Sequence, residues 1–208
     1  PKKIKSHFET GNKNTNMETP KFKNQFKHVK NFLIGTNDVA VTQIEKTLKS
    51  FSIKPFRLTT FIEGESREVG IFLGSLAQSI IYNNQPIKKP CGILIGGEST
   101  VTVKGNGEGG RNQELVLSCS ELIKNIDGVA VASIGTDGID GFTDVNNTKA
   151  AGAIADSLTI SKSIKKSLSQ QQYLKNNDSY NFFNELKDLI ITDFTGTNVM
   201  DLTLLIIL

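Results

Sequence analysis

The sequence predicts an α/β domain of three layers built on a mixed β-sheet, and three observations carry that prediction. Short apolar runs at residues 93–95 and 128–134 have the length of strands, and the second reads as covered on both faces. Around them lie stretches of helical period. The clearest spans residues 66–83, where Val69, Phe72, Leu73, Leu76, Ile80 and Ile81 form one stripe. Strands and helices alternate along the chain, apart from one place where two strands follow each other directly.

Taken in order, residues 1–28 are polar, rich in Lys, Asn and Thr, and weakly periodic. They read as a linker or as the remnant of a preceding domain, leaving the α/β domain at residues 29–208. A short strand is expected at 31–35. A helix capped by Asn37 or Asp38 follows, with Val41, Ile44, Leu48 and Phe51 on its apolar face. Residues 55–60 make the next strand, entered through a proline, and the helix over 66–83 comes after it. Residues 93–95 and 99–104 are expected to form a hairpin turned by Gly96 and Gly97, since S-T-V-T-V-K alternates polar and β-branched positions. A helix opens at Arg111 and runs to 124, its apolar positions being Leu115, Val116, Cys119, Leu122 and Ile123. Beyond the strand at 128–134, a small-residue helix is expected at 148–158 and another at 162–174. Asn177 to Tyr180 cap a short helix holding Phe182, Phe183 and Leu186, and strands at 189–192 and 201–207 follow.

A chain of 208 residues suits one large domain or two small ones, and 38% hydrophobic with 22% charged residues is ordinary for a soluble globular protein. A chain opening on Pro1 reads as a piece of a longer protein. Residues 1–30 contain no apolar stretch of signal-peptide type, and the run at 202–208 is too short to span a membrane. Cys91 and Cys119 lie in apolar contexts and are expected as buried free thiols, which fits a reducing, cytoplasmic setting. Net charge is +3 and unevenly placed: residues 1–30 carry eight lysines against Glu9 and Glu18. With three arginines in the chain and no aromatic interleaving, that basic stretch reads as a solvated segment, with neither nucleic acid nor membrane as partner.

Chemistry is expected in three loops at strand ends, where α/β sheets gather their ligands. The first is G-N-G-E-G-G at 105–110, opening the helix that begins with Arg111. Bare backbone N–H groups at a helix N-terminus, with a planar permanent cation beside them, suit an anion such as a phosphate or carboxylate. Gly105, Gly107 and Gly110 satisfy G-x-G-x-x-G, but no acid follows at the end of the next strand, as a dinucleotide site requires. The Walker-A spacing is also present, with Arg111 and Asn112 in place of Lys and Ser/Thr. The second loop, 135–144, holds Asp137, Asp140 and Asp144, which can either ligate Mg²⁺ through oxygen or cap turns and the following helix. The third is T-G-T-N at 195–198, ahead of Asp201, suited to phosphate or hydroxyl recognition or to plain turn-making. The two histidines, His7 and His28, lie in the basic stretch, so no Ser-His-Asp or Cys-His site can be drawn within the domain, and no zinc spacing occurs. Glycine loops, one arginine and several aspartates suit phosphoryl transfer, where a protein mainly positions and neutralises charge.

These residues also carry a family resemblance. I-G-G-E-S-T-V-T-V-K-G-N-G-E-G-G-R-N-Q-E-L (95–115), G-T-D-G-I-D-G (135–141) with A-A-G-A-I-A-D (150–156), N-N-D-S-Y-N-F-F (176–183) and T-G-T-N-V-M-D-L (195–202) resemble the successive motifs of the MOFRL domain of class II glycerate kinases. Some members of that family are labelled hydroxypyruvate reductase. E-T-P-K (18–21), N-F-L-I-G-T-N (31–37) and E-G-E-S-R-E-V (63–69) are similar to that family as well, and the MOFRL region covers about 90–207. The resemblance implies the C-terminal domain of a two-domain kinase that uses ATP and Mg²⁺ to phosphorylate D-glycerate, normally at the 2-hydroxyl, in an interdomain cleft. The N-terminal Rossmann-like domain, with a lysine facing the glycine loop, is not in this sequence. A homodimer is a further expectation. The resemblance implies Arg111 and Asp137 as catalytic residues and Gly97, Glu98, Gly107, Gly109, Gly110, Asn112, Thr136, Thr197 and Asn198 as substrate or phosphate contacts. Asp137 and Asp140 are the metal candidates. Phe142, and the pair Asp193-Phe194, depart from the residues usual in the family at those loops. The alternatives are a hydroxypyruvate reductase, which needs a complete dinucleotide site, and a non-catalytic anion-binding module.

Overall fold

The structure is a computed structural model and describes residues 1–14, 22–141 and 150–208. Asp144, Phe142 and the start of the helix expected at 148 lie outside the described residues. The chain divides into two units, Pro1–Ile34 and Gly35–Leu208. The first contains helix α1 (Lys2–Lys13) and a 3-10 turn (Lys23–Phe26), and α1 buries none of its residues. Residues 2–13 of the weakly periodic lysine-rich stretch are therefore helical without building a core. The strand expected at 31–35 does not form. A short apolar run has no period that separates strand from coil, and Phe32, Leu33 and Ile34 are exposed.

The second unit runs α2 (Asn37–Ser50), β1 (Lys54–Ile62), α3 (Ser66–Asn83), β2 (Cys91–Gly97), α4 (Arg111–Ile123), β3 (Val129–Gly135), β4 (Gly152–Asp156), α5 (Thr159–Lys165), α6 (Gln170–Lys175), α7 (Ser179–Leu186), β5 (Leu189–Ile190) and β6 (Asp201–Ile207). The strands form one six-stranded mixed sheet in the order β1-β2-β6-β3-β4-β5. β1 and β2 are parallel, and every other neighbouring pair is antiparallel. β1, β2 and β3 therefore point the same way, and their carboxyl ends share one rim. Pro55 sits on β1, an edge strand, where a missing ladder donor is tolerated.

Alternation divides the side chains of the sheet between two faces. Ile93, Ile95, Val129, Val131, Leu205 and Ile207 join Leu73, Ala77, Ile80, Val116, Phe182 and Phe183 in the larger core beneath α3, α4 and α7. Leu94, with Leu202, Leu204 and Ile206, packs on Val41 and Leu48 of α2 on the other face. Helix, sheet and helix make the three layers expected. α2 is capped by Thr36 rather than by Asn37 or Asp38, and Phe51 is an exposed residue just beyond its end. α3 and α4 approach closely because Gly70 and Gly74 carry no Cβ, which would lie 2.3 Å from the Leu115 carbonyl and 2.5 Å from Leu122 Cβ, respectively.

Three further expectations are corrected. Residues 99–104 do not pair with β2, because β1 and β6 already occupy both of its edges. The segment instead lies against the turn before α3: Ser66 N–H donates to the Thr100 carbonyl (2.8 Å), Thr100 N–H to Gly64, and Thr102 N–H to the Glu65 carboxylate. The alanine-rich stretch expected as a helix is strand β4. Its small residues let it lie tight along β3, where a Cβ at Gly152 would fall 1.8 Å from the Ser133 carbonyl, so pairing overrides helix propensity. The single helix expected over 162–174 is broken into α5 and α6, with Ser167 between them at φ +58°. Both cysteines are free and buried.

Candidate active site

The site forms where β2 and β3 end and β6 begins. Asp201, the first residue of β6, pairs with Gly97 on one side and Gly135 on the other, so it stands between the loops that leave both strands. Its carboxylate receives the Arg111 guanidinium side-on, Nε to Oδ2 at 2.5 Å and Nη2 to Oδ1 at 2.9 Å. Glu98, immediately after β2, meets the same guanidinium at Nη1, 3.2 Å away. The Asp201 side chain is 6% exposed and that of Glu98 53%, so Arg111 has one buried anchor and one solvated neighbour. Accepting hydrogen bonds from Arg111, Asp201 holds it protonated well beyond the usual range, with the charges of Glu98 and Asp140 reinforcing it against burial. Gly97 lies at φ +127°, and a Cβ there would sit 2.3 Å from the Ile62 nitrogen, so β2 can end against β1 only as glycine.

The glycine loop is clamped from below by residues 176–180. Lys104 and Gly105 N–H donate to Asn177 Oδ1, Asn106 N–H to Asn176 Oδ1, Gly107 N–H to the Asn176 carbonyl and Glu108 N–H to Asp178 Oδ1. A Cβ on Gly105 or Gly107 would fall 2.2–2.3 Å from atoms of Asn176 or Asp178. Asn177 in turn donates to Glu114, which is 2% exposed in its side chain and ion-paired with Arg67. The N–H groups of residues 104–108 are thus spent on the protein, and Gly105 and Gly107 serve close backbone approach.

The mouth of α4 is closed in the same way. Asp140 is buried, and its Oδ1 accepts from the backbone N–H and Nδ2 of Asn112 at 3.0 Å each. Its Oδ2 accepts from the backbone N–H and Nε2 of Gln113 at 2.8 and 2.9 Å. The anion that a helix N-terminus attracts is supplied here by the chain itself. Burial pushes the Asp140 carboxyl above its ordinary value, and the four N–H bonds pull it back part of the way. Asn112 is consumed likewise, its Oδ1 accepting from Ser133 Oγ, which also meets Thr203. Asp140 holds two of the helix-mouth N–H groups that a dinucleotide pyrophosphate would draw on, which counts against the reductase alternative.

Across Asp201, the second and third loops are tied together. Thr136 Oγ1 donates to the Met200 carbonyl and accepts from Val199 N–H. Asp137 accepts from Ile139 N–H at Oδ1 and from Asn198 Nδ2 at Oδ2, both at 3.1 Å. A Cβ at Gly135 would lie 3.2 Å from Asp137 Oδ1 and 3.6 Å from Asp201 Oδ1, so the two carboxylates share one corner. Thr197 is exposed beside them, its N–H directed to Thr195 Oγ1. No group of three or more His, Cys, Asp or Glu side chains fit for a metal occurs among the described residues.

An open cleft of about 1070 Å³ lies over the first loop. Glu98, Gly107, Gly109, Gly110 and Arg111 line it, together with Glu63, Glu108, Ser99, Thr100, Val101 and Val103. Among the residues singled out in the sequence, these five share the cleft. Thr136, Asp137 and Asn198 form the neighbouring cluster, and Asn112 and Asp140 are buried beneath. Asp201, Glu114 and Asn177 escaped the sequence reading. The signal for Asp201 was a lone acid heading an alternating apolar strand.

The model of the MOFRL family matches residues 91–201. The chain belongs to the MOFRL family. The match begins at the first residue of β2 and ends at the first of β6, so it encloses Glu98, the glycine loop, Arg111, Asp137, Asn198 and Asp201. Among MOFRL relatives, the chain is 42% identical to a D-glycerate 2-kinase of Thermotoga maritima over 89% of its own length and 42% of the relative's. It is 35% identical to a glycerate 2-kinase of Pyrococcus horikoshii over its whole length and 46% of the relative's. A crystal structure of glycerate kinase from Thermotoga maritima superposes with a TM-score of 0.81 at 41% identity, covering 85% of this chain and 42% of that one. The chain thus spans less than half the length of the curated relatives it matches.

Proposed function

We propose that this MOFRL chain forms the C-terminal part of a glycerate kinase, transferring the γ-phosphoryl group of ATP to the 2-hydroxyl of D-glycerate in a cleft between two domains. The observation that carries this reading is Arg111, anchored side-on by the buried Asp201 at the floor of an open cleft and beside a rigid glycine loop. Relatives named glycerate 2-kinase give the substrate. The outer edge of the guanidinium takes the substrate carboxylate or the transferring phosphoryl oxygens. Because Asp201 fixes the fork in advance, its charge is in place as the transition state forms, which is where such a group lowers the barrier.

Mg²⁺ is tested against the donors present. Asp140 does not fit, since both its oxygens already accept N–H bonds in a buried pocket. Asp137 fits: it is only partly buried, each oxygen accepts a single N–H and retains a lone pair, and one carboxylate plus nucleotide phosphates is a common Mg²⁺ environment. A bound Mg²⁺ would supply charge neutralisation on those phosphates. Asn198 orients the Asp137 carboxylate, and Thr136 and Thr197 hold and flank the loop that carries Asn198.

The test is coupled ADP release from the protein expressed at its full gene length, with and without D-glycerate and Mg²⁺, followed by ³¹P NMR of the product. Glycerate-dependent release giving the 2-phosphate is the expected result. Hydroxypyruvate-dependent oxidation of NAD(P)H without ADP release would overturn the reading in favour of a reductase. Silence in both assays would leave an anion-binding module.

A further inference from the structure

Arg111 offers five N–H groups. Asp201 engages Nε and Nη2 along the inner edge, which leaves Nη1 and the second Nη2 hydrogen along the edge toward the cleft. Glu98 Oε1 stands 3.2 Å from Nη1, at the end of that free edge. Its backbone is fixed, with Glu98 N–H donating to the Ile62 carbonyl at 2.9 Å. Its side chain is half-exposed and lines the cleft. The other acids of the cleft are placed differently. Glu114 is buried and committed to Arg67 and Asn177, and among the described residues neither Glu63 nor Glu108 makes an ion pair with Arg111.

A cation edge and a carboxylate one hydrogen-bond length apart match a particular ligand. In a 2-hydroxycarboxylate, the hydroxyl oxygen and the nearer carboxylate oxygen are themselves separated by about one hydrogen-bond length. The carboxylate then lies on the outer edge of Arg111 while the adjacent hydroxyl points its hydrogen at Glu98. A hydroxyl one carbon further along is out of register with that pair.

We propose that Glu98 is the proton acceptor of the transfer and selects the hydroxyl next to the carboxylate; this rests on the kinase reading above. The 2-hydroxyl oxygen forms a bond to the γ-phosphorus as the bond from that phosphorus to the β–γ bridging oxygen breaks. The hydroxyl proton passes to Glu98 Oε1, ADP leaves with the bridging electron pair, and Glu98 returns the proton to water.

The decisive comparison uses Glu98→Gln and Glu98→Asp in the full-length protein, with D-glycerate as the varied substrate and thermal unfolding followed alongside. Glu98→Gln keeps an oxygen for Arg111 but cannot take the proton. Its kcat is expected to fall about a hundredfold or more, with the KM for D-glycerate within about threefold of wild type. Glu98→Asp is expected to retain part of the rate, and it carries the test if the amide variant fails to fold. A residue that only balances the charge of Arg111 predicts the opposite split, a lower KM at unchanged kcat. That split in either variant, or a kcat within about threefold of wild type in folded Glu98→Gln, overturns the assignment while the kinase reading stands. A wild-type protein that releases no ADP with D-glycerate overturns both.

Discussion

Asp140 reaches back 28 residues to cap α4, and Asp201 reaches back 90 residues to hold Arg111. In both cases a buried carboxylate is matched to a fork or pair of N–H groups that would otherwise lack partners. Removing the guanidinium with Arg111→Ala in the full-length enzyme is expected to lose about 3–4 kcal/mol of transition-state stabilisation, a drop of several hundredfold in kcat/KM. Near-normal kcat/KM in a folded variant would take Arg111 out of the mechanism. Asp140→Asn tests the cap. An amide nitrogen facing the Asn112 or Gln113 donors leaves them without an acceptor in a dry site, so urea unfolding should show a loss of roughly 2 kcal/mol. An unchanged midpoint would mean that those donors find water. Arg111 and the glycines stood out in the sequence by their types and spacing, whereas Glu98 entered only through the family resemblance. The duty of Asp140 was not legible: a helix whose N-cap is Gly110 signals that a cap is missing, but not that it arrives from the next loop.

At the scale of elements, the long amphipathic helix α3 and the buried strands β2, β3 and β6 could be read directly, since one period fits each of them. The failures share a cause. Residues 99–104 have the alternation of a strand but no open ladder to join, and the 152–156 stretch has helical composition but an open edge of β3 beside it. Sheet topology decided both, and topology is absent from a local window. The packing of α3 on α4 offers a test of competing terms. Gly70→Ala improves helix propensity by up to about 1 kcal/mol. It also puts a methyl group 2.3 Å from the backbone carbonyl of Leu115, which cannot rotate away. Overpacking should win, with a net loss of about 1–2 kcal/mol in chemical denaturation. A stabilised variant would show that the two helices can slide apart at little cost.

At the scale of the whole molecule, the second unit has its own core on both faces of one sheet, whereas the cleft over Arg111 is open. Its acids, Glu63, Glu98, Glu108 and the Arg67-paired Glu114, outnumber the single arginine that lines it. Nucleotide phosphates therefore need positive charge from elsewhere, in the proposed enzyme from the other domain and from Mg²⁺. Expressed as these 208 residues, the chain is expected to show a cooperative unfolding transition but no glycerate-dependent ADP release. Turnover by the 208 residues alone would refute a site divided between domains.

The order of strands bears on how the protein is made. β6 is the last of the six strands in sequence, yet it lies third in the sheet, with β2 on one flank and β3 on the other. On a translating ribosome, β2 emerges roughly a hundred residues before the partner that completes its ladder. At about 5–20 residues per second, β2 waits seconds with that edge bare. A bare, wholly apolar strand edge invites pairing with the wrong chain. The nascent domain is thus most exposed to aggregation and to chaperone capture just before β6 appears. A ribosome stalled in the 195–198 loop would hold it in that condition, with Arg111 already synthesised and Asp201 not yet there to receive it.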